Sequence, residues 1–316
     1  MRDRRSLRAA NLTGAVTSSD LSIVIATHNA SAVIARSLGA LFEQAAVDGV
    51  EVIIADSSTD GTLSIVKSFP GVRLLHFDEP LTVPELRGRG IAAAVGAIIA
   101  ILDPFAIVAP DWIREVITAH DTSPSLVIGG AVELHDADRQ TLAAWAIYLH
   151  EYGLFMPPVE GGVTNIVPGC NVTYKRAALF DGDRPRYPVF WKTFVNWEIE
   201  GGGSPLWLAP RILVRLSKPV RFIDFFTSRF DHGRCFAGMR LSAGRWPERL
   251  LRASTAPVLP LIIGWRWGRV CWAKRRNRRM LLATLPMQVL LFGMWAAGEG
   301  WGYLRGPGPS CRRLFY

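Results

Sequence analysis

The chain is poor in cysteine, has no acidic excess and has no apolar run at its N-terminus. Each absence excludes something. The four cysteines, Cys170, Cys235, Cys271 and Cys311, form no C-x-x-C pair, so neither a zinc site nor a dithiol redox motif is expected. They form no dense disulfide framework, which fits a reducing compartment. Residues 1–20 are basic and polar and lack the apolar core of a secretory signal, so they are expected to be a loose tail on the cytosolic side. The charge balance is 36 Lys and Arg against 27 Asp and Glu, a formal +9. That favours anionic partners such as nucleoside diphosphates or acidic lipid headgroups. Nucleic acid is disfavoured, because the basic residues lack the aromatic interleaving of RNA-binding modules.

What is present is an alternating pattern. A short β-branched run at 21–25 reads as a buried strand, and 50–55, 72–76 and 97–102 read as further strands, with helical stretches between them. Strand and helix in that rhythm predict a doubly wound α/β sheet. Ligands of such sheets lie at the C-terminal strand ends, and Thr27, Asp56 and Asp103 each fall at one. The second half is less regular. Strands are expected at 126–132, 169–174, 206–208 and 212–216, and a helix at 141–152.

Beyond 252 the character changes. Residues 253–265 are uncharged but hold two prolines, 274–279 is a run of Lys and Arg interrupted once, and 280–298 is uncharged over 19 residues. Tryptophans flank these runs, as they do at membrane interfaces. Either one span over 280–298 or an interfacial helix pair keeps the basic cluster cytosolic. A buried helix pair closing the globular domain is the third reading. The expected domains are therefore a tail over 1–20, a catalytic domain over 21–245 and a membrane-associated helical segment over 246–316.

The strand-end residues carry a family resemblance. Thr27-His28-Asn29 resembles the opening motif of the family 2 glycosyltransferases, and Asp56-Ser57-Ser58-Thr59-Asp60-Gly61 resembles their second. Arg87-Gly88-Arg89-Gly90-Ile91 is similar to their Arg-x-x-Gly-Ile helix. Asp103 with Pro110-Asp111-Trp112, and Pro168-Gly169 with Asn171, have the family's spacing. The resemblance covers roughly 21–216 and implies a GT-A fold, a doubly wound mixed sheet with a helical hydrophobic C-terminal appendage. It implies inverting transfer of a sugar from a nucleoside diphosphate donor, a UDP-sugar above all, to a glycan or lipid-linked acceptor, as in polysaccharide biosynthesis at the cytosolic membrane face. Its implied donor residues are Thr27, Asn29, Asp56, Asp60, Arg87 and Asp103. Asp56 would accept from the base, Asp103 would lie by the ribose and Arg87 would meet the diphosphate. Gly169 and Asn171 fall on the acceptor side. Arg229, His232 and Arg234 either neutralise the leaving diphosphate or form a basic helix facing phospholipid, and His232 taken alone reads as a hydrogen-bonded structural histidine.

The sequence departs from the family in two places. Phe105 stands where a second metal-binding Asp is usual, so a divalent cation, Mg²⁺ or Mn²⁺, is left with Asp103 alone. Ungapped counting back from Pro210 places Lys192 at the usual general base. A lysine serves there only with a strongly lowered pKa. Glu198, with Glu200 beside it, is the nearest carboxylate, and the alternative for both is a solvated helix face. A degenerate sugar-nucleotide-binding or scaffold protein is the competing function.

Overall fold

The computed structural model describes residues 20–44, 49–241 and 246–314. Apart from Asp20, the expected N-terminal tail lies outside them. In chain order the strands and helices are β1 (Leu21–Thr27), α1 (Ile34–Phe42), β2 (Glu51–Asp56), α2 (Thr62–Lys67), β3 (Val72–His76), α3 (Val83–Ala93), β4 (Ile98–Leu102), β5 (Ala106–Val108), α4 (Trp112–Thr122) and β6 (Val127–Leu134). There follow α5 (Leu142–Tyr152), β7 (Gly162–Thr164), β8 (Asn171–Lys175), α6 (Arg176–Leu179), β9 (Phe180–Asp181), β10 (Arg184–Pro185), α7 (Lys192–Gly201) and β11 (Leu206–Leu216). Five helices close the chain: α8 (Phe222–Arg240), α9 (Trp246–Thr255), α10 (Leu259–Ala273), α11 (Arg278–Ala283) and α12 (Leu285–Arg305).

The chain divides into two compact units: Met1–Glu133 with Pro157–Ser217, and Leu134–Met156 with Lys218–Tyr316. The helical unit thus takes in α5 and α8, on the N-terminal side of the boundary expected at 245.

In the first unit the sheet runs β3-β2-β1-β4-β8-β6-β11-β5, with β7 on β11. β1 pairs in parallel with both β2 and β4, and β2 with β3. β8 is antiparallel to both β4 and β6. Every residue of β1 and β4 is buried, as continuous aliphatic runs demand of central strands. The core joins Val24, Ile53, Ile91, Ile99 and Ile101 to Tyr174, Phe190 and Ile199. The two strands expected at 206–208 and 212–216 are one, β11. It changes partner along its length, from β7 at Leu206 to β5 at Leu216. Between those two segments β11 also borders β6.

In the second unit, Phe225 of α8, Ile147 of α5 and Leu291 of α12 form one apolar cluster, and Ala237, Leu241 and Tyr303 another. α8 and α12 cross closely through glycine. A Cβ on Gly233 would strike the Trp295 carbonyl, one on Gly298 the Phe230 carbonyl, and one on Gly302 the Arg234 carbonyl. A disulfide joins Cys235 of α8 to Cys311. Their 76-residue separation hides the pair from a reading of cysteine spacing. Cys170 and Cys271 are buried and lie outside the disulfide.

The single span considered over 280–298 does not form. Thr284 separates α11 from α12, and Pro286 opens the latter, where its missing N–H costs no helical bond. Among the described residues no helix is long and apolar enough to cross a membrane.

Candidate active site

The parallel strands β1, β2, β3 and β4 end on one edge of the sheet. Strand order reverses between β1 and β4, and Thr27 and Asp103 flank that point. Thr27 pairs in register with Asp56, and Asp56 with His76. Asp56 is completely buried. Its Oδ1 accepts from Thr27 Oγ1 at 2.7 Å and from Ser58 Oγ at 2.5 Å. Its Oδ2 accepts from the Ser58 backbone N–H at 3.0 Å and lies 2.8 Å from His76 Nδ1. A carboxylate has about four acceptor positions, so protein groups occupy them all. A base N–H would have to replace one of them. Here Asp56 holds three strand ends together.

Asn29 and Asp60 stitch the loops after β1 and β2 to each other. Asn29 adopts a left-handed φ of 52°, which Asn tolerates better than most residues. Its Oδ1 accepts from Thr59 N at 2.9 Å, and its own N–H donates to Ser58 Oγ at 2.8 Å. Asp60 accepts from Thr62 N and Oγ1 and from Ser31 N. Burial opposes its charge, but these bonds outweigh burial and hold its pKa at about 2.

Arg87 comes from α3, which starts with a reciprocal capping box between Thr82 and Glu85. Two glycines let this helix lie close to its neighbours. A Cβ on Gly90 would run into Val24 of β1, and one on Gly88 into the Pro188 carbonyl. Arg87 Nη2 thereby reaches Asp103 Oδ1 at 2.5 Å, with both side chains largely buried. Phe105 is buried.

Lys192 opens α7. Its Nζ donates to the Val167 carbonyl at 2.7 Å, and its side chain packs over Gly169. Burial, with the Arg87 guanidinium, lowers its pKa to about 8, while the Cys170 thiol and Asp103 act in the opposite sense. Lys192, Arg87 and Asp103 therefore share one electrostatic neighbourhood.

Other expected residues fall elsewhere. Asn171 is a fully buried brace. It accepts from Trp112 Nε1 at 3.0 Å and donates to the carbonyls of Ala131 and Ile212, which leaves little for an acceptor sugar. Glu198 lies nearly two turns along α7 from Lys192 and pairs with Arg186 at 3.0 Å. It lines a cavity of about 660 Å³ with Tyr187, Leu126 and Trp207. Leu126 precedes β6, which begins opposite Tyr174, whereas Asn171 lies opposite Leu102. Glu198 is therefore near the sheet edge opposite Asp103.

Arg229, His232 and Arg234 belong to the second unit. Arg229 is buried, 3.6 Å from Glu151, and donates to His232 Nδ1 at 2.7 Å. Glu151 also pairs with Lys218 at 3.1 Å. Although burial opposes it, Lys218 and Arg229 hold the Glu151 pKa below the ordinary value. Burial first, then Arg229 and Lys218, push His232 well below its usual pKa. It is a neutral acceptor. Arg234 Nε donates to the Gly306 carbonyl beyond α12.

Sequence reasoning missed His76 and Ser58. Both were within reach of the strand-end rule that found Asp56: His76 ends β3 as Asp56 ends β2.

Polar strand ends converging where strand order reverses are the layout of a doubly wound domain that holds its ligand at that crevice. The glycosyl transferase family 2 model matches residues 22–180, half of the chain. The chain belongs to glycosyl transferase family 2. It is 33% identical over 123 residues to validoxylamine A glucosyltransferase of Streptomyces hygroscopicus subsp. jinggangensis, covering 37% of this chain and 29% of that protein. It is 30% identical over 125 residues to succinoglycan biosynthesis protein ExoO of Rhizobium meliloti, covering 39% and 36%. The matches thus span about a third of the length of these relatives. Among solved structures it resembles the mannosyltransferase PcManGT from Pyrobaculum calidifontis in complex with GDP-Man and Mn²⁺, with a TM-score of 0.50 and 20% identity over 90% of this chain and 85% of that one. S. aureus TarS 1-349 in complex with UDP-GlcNAc gives 0.50 and 13% over 88% and 90%. These likenesses show the fold, a GT-A mixed sheet with a helical C-terminal region.

Proposed function

We propose that this protein transfers a sugar from a nucleoside diphosphate donor to a glycan or lipid-linked acceptor at the cytosolic face of a membrane. The carrying observation is the pairing of Thr27 with Asp56 and of Arg87 with Asp103 along the edge where strand order reverses. Family membership and the nucleotide sugars held by the structural neighbours support it, and the name of the Rhizobium relative points to polysaccharide synthesis. In the reaction an acceptor hydroxyl oxygen bonds to the anomeric carbon. The bond from that carbon to the diphosphate breaks with its electron pair, and the hydroxyl proton passes to a base or water. Calorimetry with UDP- and GDP-sugars, followed by donor-turnover assays, tests the reading. Tight binding of one donor is expected; no binding by any would overturn it. Binding without turnover would favour the non-catalytic alternative, for which the specific observation is Lys192 at the expected base position.

Membrane contact rests on α10 and its neighbours. Leu261, Trp265 and Trp272 are exposed along one stripe of α10, since these spacings are close to whole helical turns. Arg275 and Arg279 are exposed beyond its end, and Arg278 lies over the Trp272 ring, 4.5 Å from its centroid. Apolar residues rimmed by arginine fit an anionic bilayer surface, each cation near it contributing about 1 kcal/mol. The protein should float with vesicles containing anionic lipid and not with neutral ones. The Leu261→Ala, Trp265→Ala double variant should bind at least tenfold more weakly. Equal flotation of variant and wild type would remove this face from the interaction.

A further inference from the structure

The fold neighbour PcManGT holds Mn²⁺ with its nucleotide sugar, so the fit of a divalent ion to the residues present here can be examined. It is poor. Asp103, the one strand-end carboxylate facing the reversal point, is already neutralised by Arg87 at 2.5 Å. The two residues after it are Pro104 and Phe105, and the latter is buried. Asp56 has its acceptor positions filled by Thr27, Ser58 and His76. Among the described residues no three His, Cys, Asp or Glu side chains gather as a metal-binding group. Hard cations need several oxygen ligands, and the carboxylate at the reversal point is already ion-paired.

What the edge does offer is fixed positive charge. Lys192 is held by the Val167 carbonyl and by the first turn of α7. Its side chain packs against Gly169, two residues before Asn171, and Asn171 pairs with Leu102, the neighbour of Asp103, which binds Arg87. Two cations against one carboxylate leave one net positive charge beside the crevice. A helix N-terminus adds partial positive charge, and Lys192 is itself the first residue of α7. We infer that Arg87 and Lys192 together form the diphosphate-binding cradle of this protein and take the place of a divalent cation. The inference rests on the donor reading above and names how that same site holds its ligand. Guanidinium supplies paired donors and ammonium a point charge, the two modes that suit a diphosphate. Without a ligand, Lys192 is protonated below about pH 8, so the cradle should weaken as the pH rises through that value.

The test is calorimetric binding of UDP, UMP and uridine, and of the guanosine series, to the full-length protein. It is run with chelator, with Mg²⁺ and with Mn²⁺. The expected result is diphosphate affinity in chelator within about threefold of that with either metal. Lys192→Met should weaken the diphosphate at least tenfold and leave the nucleoside unchanged, while Lys192→Arg retains most of the affinity. Wild-type affinity should fall between pH 7 and 9, and that dependence should vanish in Lys192→Arg. A purely structural lysine would leave the pH profile and the diphosphate-to-nucleoside ratio unmoved. If Lys192→Met does not fold, the chelator and pH arms on the wild type decide. Diphosphate binding that appears only with metal would overturn this inference and leave the donor reading standing. Absence of UDP and GDP binding in every condition would overturn both.

Discussion

At Asp56 the physics is that of a saturated acceptor. Four protein groups converge on one buried carboxylate, and a neutral replacement strands them. Asp56→Ala should cost about 1–3 kcal/mol in urea unfolding, the usual penalty for orphaned buried donors. Nucleotide affinity should fall with it, because the loops after β1 and β2 lose their common anchor. Asn171 makes a contrasting case. Asn171→Ala leaves Trp112 Nε1 without its acceptor and two carbonyls without a donor, so a similar loss of stability is expected. Nucleotide affinity, measured on the folded fraction, should stay within about twofold of wild type. A large affinity loss with unchanged stability would return Asn171 to the ligand site.

Elements were legible in the sequence where one rule governed them. β1, β2 and β4 are aliphatic runs ended by Thr27, Asp56 and Asp103, and periodicity with strand-end polarity found all three. The three-residue β5 and β7 were not legible, because so short a strand is defined by its partner β11 rather than by its own pattern. α7 was read only as a solvated helix face carrying Glu198 and Glu200. Its first residue meets the donor edge and its seventh lines a cleft by the other edge, and no local signal reports a helix crossing between two edges. The site was half readable. Motif order placed Thr27, Asp56, Arg87 and Asp103 together, but it did not show that Asp56 and Asn171 are consumed by internal bonds. Nor could it show that Arg229 pairs with Glu151 of α5, about 80 residues away in sequence, while donating to His232. The close crossing of α8 and α12 gives a further expectation. Gly298→Val would press a branched side chain into the Phe230 carbonyl. It should cost about 1–3 kcal/mol as overpacking, read as a lower melting temperature.

Acid lability belongs to the molecule as a whole. His150 is held to a pKa of about 3 by burial and then by Arg229, and His120 to about 3 by burial and then by Lys175. His232 is also lowered well below its usual value. In the unfolded chain each returns to about 6.5, so below that pH the unfolded state binds more protons. The stability these neutral histidines allow is intact above pH 6.5 and declines as the pH falls, for His120 and His150 by roughly 1.4 kcal/mol per pH unit each toward pH 3. Urea midpoints at pH 7 and 5 should differ strongly, with protons taken up on unfolding. Equal midpoints would show that these rings are not held neutral.

The bond between Cys235 and Cys311 turns α9 to α12 into a closed covalent ring. The segment between α10 and α11 is basic and exposed at Arg275 and Arg276, a natural point for trypsin to cut. One cut there opens the ring without separating the pieces. The nicked chain should therefore run as a single species without reductant and as two with it. α12 would stay linked to α8 after the peptide between them is broken, so peptide cleavage at the basic turn and loss of the C-terminal helix are separate events.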